Sequence, residues 1–129
     1  VGIDTKDVVP ALRRHLDKHG FERVKVKMAR MEAFAPTRLD PDHPWVKWTV
    51  ASLAKTSGKK PAILPNLGGS LPNDIFSEIL GLPTVWIPHS YAACSQHAPN
   101  EHMLAPIARE ALRLMAGVWW DLGEGGVPR

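Results

Sequence analysis

Lys59-Lys60-Pro61-Ala62-Ile63-Leu64-Pro65-Asn66-Leu67-Gly68-Gly69-Ser70 is the stretch on which the fold reading turns. Ala62-Ile63-Leu64 is a short apolar run set between prolines, which reads as a brief strand buried on both faces. It ends at a glycine turn, after which Asn73 or Asp74 opens a short helix through Ile75, Phe76, Ile79 and Leu80, closed by Gly81. Pro83-Thr84-Val85-Trp86-Ile87 then repeats the pattern of a brief buried strand. Upstream, Asp42 or His43 caps a helix with Pro44 at its first position, running through Trp45, Val46, Trp48, Thr49, Leu53 and Ala54 to a stop at Gly58. Downstream, Pro88 to Gln96 is a loop. A final helix follows, from Asn100 or Glu101 to about Trp120, with Leu104, Ile107, Ala108, Ala111, Leu112, Met115 and Trp119 facing inward. From residue 43 onward the order is helix, strand, helix, strand, helix, so the expected fold class is α/β, with helices flanking a sheet of short buried strands. Ligands of such sheets bind beyond the carboxyl ends of the strands. The loops 66–72 and 88–100 both lie there and are expected to face one cleft.

The N-terminal part reads differently. Thr5 to His19 is an amphipathic helix, capped by Thr5 or Asp4, with Val8, Val9, Leu12 and Leu16 on one side and Gly20 as its stop. Phe21-Glu22-Arg23-Val24-Lys25-Val26-Lys27-Met28 alternates apolar and charged residues with period two, the pattern of a half-exposed strand. One helix and one strand cannot bury each other, so this partial α+β unit needs more sheet. Residues 35–44 hold three prolines in ten positions and read as a linker. The expected organisation is an α+β part over 1–34, the linker 35–44, an α/β part over 45–122 and a tail over 123–129.

Composition narrows the function classes. At 129 residues the chain suffices for one cored domain, and 44% hydrophobic with 22% charged residues is a soluble balance. No run approaches the ~18 apolar residues of a membrane span. The net charge of +3 is spread over basic residues that alternate with acids, which excludes a nucleic-acid stripe. The N-terminus has no signal-peptide pattern and one cysteine, Cys94, fits a reducing compartment, so a cytoplasmic location is expected. The chain opens on Val1 rather than methionine, which fits a piece of something larger.

Two stretches carry chemistry. Gly68-Gly69-Ser70 offers backbone N–H groups and a hydroxyl at an expected helix start, an arrangement suited to a carboxylate or phosphate. A tight turn needing glycine for its dihedrals explains the same residues. No Walker lysine follows and no GxGxxG is present, which excludes the common nucleotide sites. The second stretch is Ser95-Gln96-His97-Ala98-Pro99-Asn100-Glu101, where His97 sits at the end of a loop and its imidazole suits a metal ion. His89, Cys94, His97 and His102 together follow no familiar zinc spacing. Asn100 and Glu101 read as cap and first-turn dipole residues.

Taken together, Gly-Gly-Ser-Leu-Pro at 68–72, the apolar Leu82-Pro83-Thr84-Val85 run and His-Ala-Pro-Asn-Glu at 97–101 resemble the C-terminal part of the M20 family of metallopeptidases. The dipeptidase and carnosinase-like branch looks most similar, from about Val8 to Leu122. Gly20-Phe21 and Asp40-Pro41-Asp42-His43-Pro44 also look like the end of that family's lid domain and its return to the catalytic domain. The resemblance implies the C-terminal part of an αβα catalytic domain, preceded by half of a lid and dimerisation domain over 1–34. It further implies a hydrolase of peptide or amide bonds using two zinc ions per full-length subunit, acting on a small peptide or N-acyl amino acid, and a homodimer formed through the lid. By the same resemblance, the histidine of H-x-x-N-E ligates one metal, which falls on His97. The GGS turn receives the substrate carboxylate, which falls on Gly68, Gly69 and Ser70.

The remaining ligands and the general base of that family have no counterpart in this chain, so alone it is expected to be inactive. The lone 21–28 strand would leave an open edge, inviting pairing. Two other readings stand beside this one. The first is a non-catalytic dimerisation or interaction module, and the second a zinc-binding regulatory domain using His89, Cys94, His97 and His102.

Overall fold

A computed structural model describes residues 2–29, 34–69 and 71–128. The chain divides into two units, one of Val1–Arg38 with Asn66–Thr84 and one of Leu39–Pro65 with Val85–Arg129.

The first unit is built on α1, Val8–Lys18. A 3₁₀ turn, Thr5–Asp7, leads into it, with the Asp4 side chain accepting from the Lys6 N–H. At the other end Gly20 takes φ +79°, and the Phe21 N–H closes the helix on the Leu16 carbonyl at 2.9 Å. These local signals act as the sequence indicates. The strand expected over 21–28 does not form. Instead the Arg13 guanidinium reaches from α1, bonds Asp17 at 2.6 Å and the Phe21 carbonyl at 2.9 Å, and also takes the Val24 carbonyl. The Val24 N–H turns back on the Phe21 carbonyl at 3.1 Å. Period-two alternation supplies a strand with two faces but no ladder partner, and here the carbonyls go to a side chain and a turn. The open strand edge expected there goes with it.

Further along this unit, the Ala35 N–H donates to Asp74 at 2.9 Å, Asn73 donates to Thr37 at 2.9 Å, and Arg38 reaches Asn66 at 2.7 Å. The expected short helix opens at Asn73: residues 73–74 are α-helical and continue into a π turn, Ile75–Ile79, with the Leu80 N–H on the Ile75 carbonyl and Gly81 at φ +63°.

The second unit rests on two long helices, α2 (Pro44–Ser57) and α3 (Ala105–Glu124). The start and stop of α2 follow its sequence closely. His43 Nδ1 accepts from the Trp45 N–H at 3.2 Å, Pro44 opens the helix, and Gly58 ends it in the left-handed conformation at φ +73°. The two helices run antiparallel, since Ser52 meets Asp121 while Thr56 lies against Gly117. Asp121 is the pin. It accepts from Ser52, itself 4% exposed, at 2.7 Å and from the Lys55 ammonium at 2.5 Å. Val46, Thr49 and Ser52 are buried on α2 and Val118 on α3.

The α/β expectation is overturned: the fold is helical, and among the described residues no strand or sheet exists. Residues 61–65 and 83–87 run as irregular chain, with Ile63, Leu64 and Trp86 exposed. Both runs are short and flanked by prolines, which remove amide donors from any ladder they join. α3 also differs from expectation. It starts at Ala105 rather than Asn100 or Glu101, with Pro106 in its first turn, and it runs on to Glu124. Leu112 and Trp119, expected inside, are 73% and 70% exposed, and Leu104 is exposed as well.

Two consequences are measurable. A Cβ placed on Gly117 lies 2.1 Å from Thr56 Oγ1 and 3.0 Å from Thr56 Cβ. Overpacking of ~1–3 kcal/mol then outweighs the ~1 kcal/mol of helix propensity that alanine adds. Gly117→Ala is expected to lower stability by about 1 kcal/mol in denaturant unfolding, and adding Thr56→Ala is expected to recover most of it.

The second concerns pH. Hydrogen bonds from Lys55 and then Ser52 hold the Asp121 carboxyl below its ordinary value of 3.8. The bond to Asp121 raises Lys55 above its ordinary 10.5. The contribution of Asp121 is therefore complete above 3.8 and lost as pH falls through its lowered value, while that of Lys55 is lost only as pH rises past 10.5. Thermal unfolding followed by circular dichroism should show an acid decline in the wild type that is shallower in Asp121→Asn.

Candidate functional site

The turn 66–72 belongs to the first unit and His97 to the second. Each is therefore taken on its own geometry.

Gly68 and Gly69 lie in irregular, exposed chain, and Ser70 lies outside the described residues. Gly68 has an ordinary φ, and a Cβ there would meet nothing within 4 Å among the described residues. Neither dihedral nor crowding within the chain demands glycine at this position, so the tight-turn explanation does not account for it. Anion binding at a helix start gains little, however. The helical stretch begins only at Asn73 and is short, and the Asp74 carboxylate already accepts from the Ile75 N–H at 3.1 Å. What Gly68 and Gly69 offer a carboxylate is open approach to backbone N–H groups, without a helix dipole behind it.

The loop that carries His97 is more constrained. It starts with the 3₁₀ turn Ala92–Cys94, in which Cys94 is buried. The His102 N–H returns to the Cys94 carbonyl at 3.0 Å and closes the loop. His102 Nδ1 sits 2.8 Å from the Asn100 carbonyl, and its ring stands edge-on to Tyr91. The Tyr91 hydroxyl is buried without a hydrogen-bond partner among the described residues. Inside this frame Ser95, His97 and Asn100 have φ of 56°, 62° and 63°. Three non-glycine residues in the left-handed region within six positions is a concentration of backbone cost, ~1–2 kcal/mol for each ordinary side chain and less for Asn.

The His97 conformation is tethered. Its N–H donates to Glu101 Oε2 at 3.3 Å, and the Ala98 N–H bonds the Ser95 carbonyl at 2.9 Å. Glu101 is thus not a first-turn dipole residue, and Asn100 is not a helix cap; both stand ahead of α3. The His97 residue is exposed, and its ring has no hydrogen-bond partner among the described residues. The tether was not foreseen in the sequence, although an acid four residues after the histidine and across a proline is the signal that points to it.

Among the described residues no three His, Cys, Asp or Glu side chains come together as a metal site. His89, Cys94, His97 and His102 are not gathered on one point: Cys94 is buried, His102 is engaged with Asn100, and His97 stands exposed. His97 is a single donor, against the three or four protein ligands that zinc sites use. No helix of the described residues is long and apolar enough to cross a membrane. The chain matches no protein-family model, no curated protein and no solved structure.

Because the left-handed cost falls on His97 itself, His97→Gly is expected to raise stability by about 0.5–1 kcal/mol. Equilibrium urea unfolding of the two proteins measures it. A loss of stability of similar size would mean that the imidazole holds the fold together.

Proposed function

We propose that this chain is a segment of a metal-dependent hydrolase of peptide or amide bonds, in the manner of the M20 dipeptidases that its motifs resemble. In this reading His97 is its one metal ligand. Gly68, Gly69 and Ser70 receive the carboxylate of a small peptide or N-acyl amino acid. The observation that carries the reading is the tethered loop. In His-Ala-Pro-Asn-Glu the acid of the motif, Glu101, holds the backbone of the motif's own histidine in a left-handed conformation, with the ring left exposed. Local backbone cost of this kind collects where a side chain must be aimed. The unforced glycine at Gly68 supports the second half of the reading, since an approaching ligand explains it where the fold does not.

The donor set fits a metal only in part. His97 supplies one neutral nitrogen, and the other ligands and the base that activates water come from elsewhere in the hydrolase. When bound, the metals, zinc in the family resembled, would supply a Lewis acid and a source of hydroxide. This chain contributes the orientation of one imidazole. It is expected to release no product from dipeptides by itself, with or without added zinc.

The decisive experiment uses the complete gene product. It is expected to hydrolyse dipeptides or N-acyl amino acids in a metal-dependent way, and His97→Ala to lower kcat/KM by at least ~10³-fold. Ser70→Ala should act mainly on KM for substrates with a free carboxylate. A complete product without metal-dependent hydrolysis, or one indifferent to His97→Ala, rules the reading out. In that event the non-catalytic interaction module becomes the better description.

A further inference from the structure

The outward side of α3 has no part in the hydrolase reading, and its pattern is specific. Ala105, Arg109, Leu112, Ala116, Trp119 and Gly123 are all exposed and recur at alternating spacings of four and three residues. That is the 3.5-residue repeat of a helix seam made to meet another helix. Leu112, Trp119 and the adjoining Trp120 are 73%, 70% and 70% exposed. Large apolar side chains gathered on one helix face mark a contact surface, whereas scattered ones do not.

The charges select the occupant. α3 has no acid in its first turn and no base in its last. Arg109, Glu110 and Arg113 stand in its N-terminal half, with bases in excess, while Asp121 and Glu124 lie in its last turn, so the net charges oppose the helix dipole. Arg109 and Arg113 are also like charges at i,i+4, a mildly unfavourable pair that Glu110, three residues before Arg113, offsets in part. Among the described residues, none of Arg109, Arg113 and Glu124 forms an ion pair. An arrangement unfavourable within one helix becomes favourable when a second copy lies antiparallel, because the basic half then faces the acidic end.

We infer that α3 is a self-association surface on which two copies of this chain pair antiparallel about a twofold axis near Ala116. Ala116 at the centre lets the helices approach. Leu112 then meets the partner's Trp120, and Arg113 stacks on the partner's Trp119, a cation–π contact. Arg109 lies opposite the partner's Gly123, where there is room for it to reach the partner's Glu124. Such an interface is isologous and closes at two copies. The four tryptophans of the pair bring roughly 600 Å², about half of what a stable interface needs, before Leu112 and the flanking stems are counted.

The test is sedimentation of the whole 129-residue chain from about 1 to 100 μM, a span that covers dissociation constants typical of modest interfaces. The expected result is a reversible equilibrium between 14.2 kDa and twice that mass. Arg109→Glu with Arg113→Glu should weaken it about tenfold or more, and adding Glu124→Arg should restore most of the loss. All three side chains are exposed, so these variants should keep the helicity of the wild type. A chain that stays monomeric across the range overturns the inference. So does a dimer unmoved by the charge reversal, which would place the contact elsewhere, or one weakened by it and not rescued.

Discussion

Asp121 is the constraint on which the second unit depends. Its carboxylate joins a buried hydroxyl, Ser52, and an exposed ammonium, Lys55, so one side chain fixes α3 against α2 both along the helix and around it. Sliding α3 by one residue would leave the Ser52 hydroxyl buried and unpaired, a costlier state than loss of an ordinary surface contact. One turn earlier, Gly117 lets α3 approach Thr56 to a distance at which no larger residue fits unchanged. The polar pin and the missing side chain act together: one sets the register and the other the spacing. Once both are fixed, the opposite side of α3 has to face outward, with Leu112, Trp119 and Trp120 on it.

The ends of α2 and of the first helical segment were legible because their signals are local, whereas those of α3 were each missed by about a turn. His43, Pro44 and Gly58 bound α2, and Asp4 and Gly20 bracket the first helical segment, within a few residues of where the sequence indicates. Strands were not legible, since alternation at 21–28 and the apolar runs at 62–64 and 83–87 describe what a strand would look like, while pairing is decided by residues far away in sequence. The inward face of α3 failed for a related reason. Ile107, Leu114, Met115 and Val118 make one apolar stripe and Leu112, Trp119 and Trp120 another, and helical periodicity alone cannot rank two stripes on one helix. Asp121 ranks them, but a lone acid near a helix end gives no hint that its partners lie on α2.

The candidate site shows the same division. The sequence singled out His97 by residue type and Gly68-Gly69-Ser70 by composition. It did not show that Glu101 folds back on the His97 backbone, or that Asp74 occupies the start of the next helical turn. The first strengthens the reading of His97 as an aimed side chain. The second removes the helix dipole from the carboxylate-binding argument, leaving open backbone access at Gly68 to support it.

Two shortfalls of this chain bear on its function and are independent of each other. One is chemical: a single imidazole where zinc needs three or four protein ligands. The other is physical: only Val46, Cys94 and Val118 form the buried apolar set among the described residues. A self-association module accounts for the second and is silent on the first, because it has no use for a tethered histidine or an unforced glycine. In the proposed hydrolase, the groups completing the metal site would arrive on polypeptide that would also cover apolar surface. A pair of copies joined through α3 remains compatible with it, because the residues of that seam are not the residues that would meet a metal or a substrate.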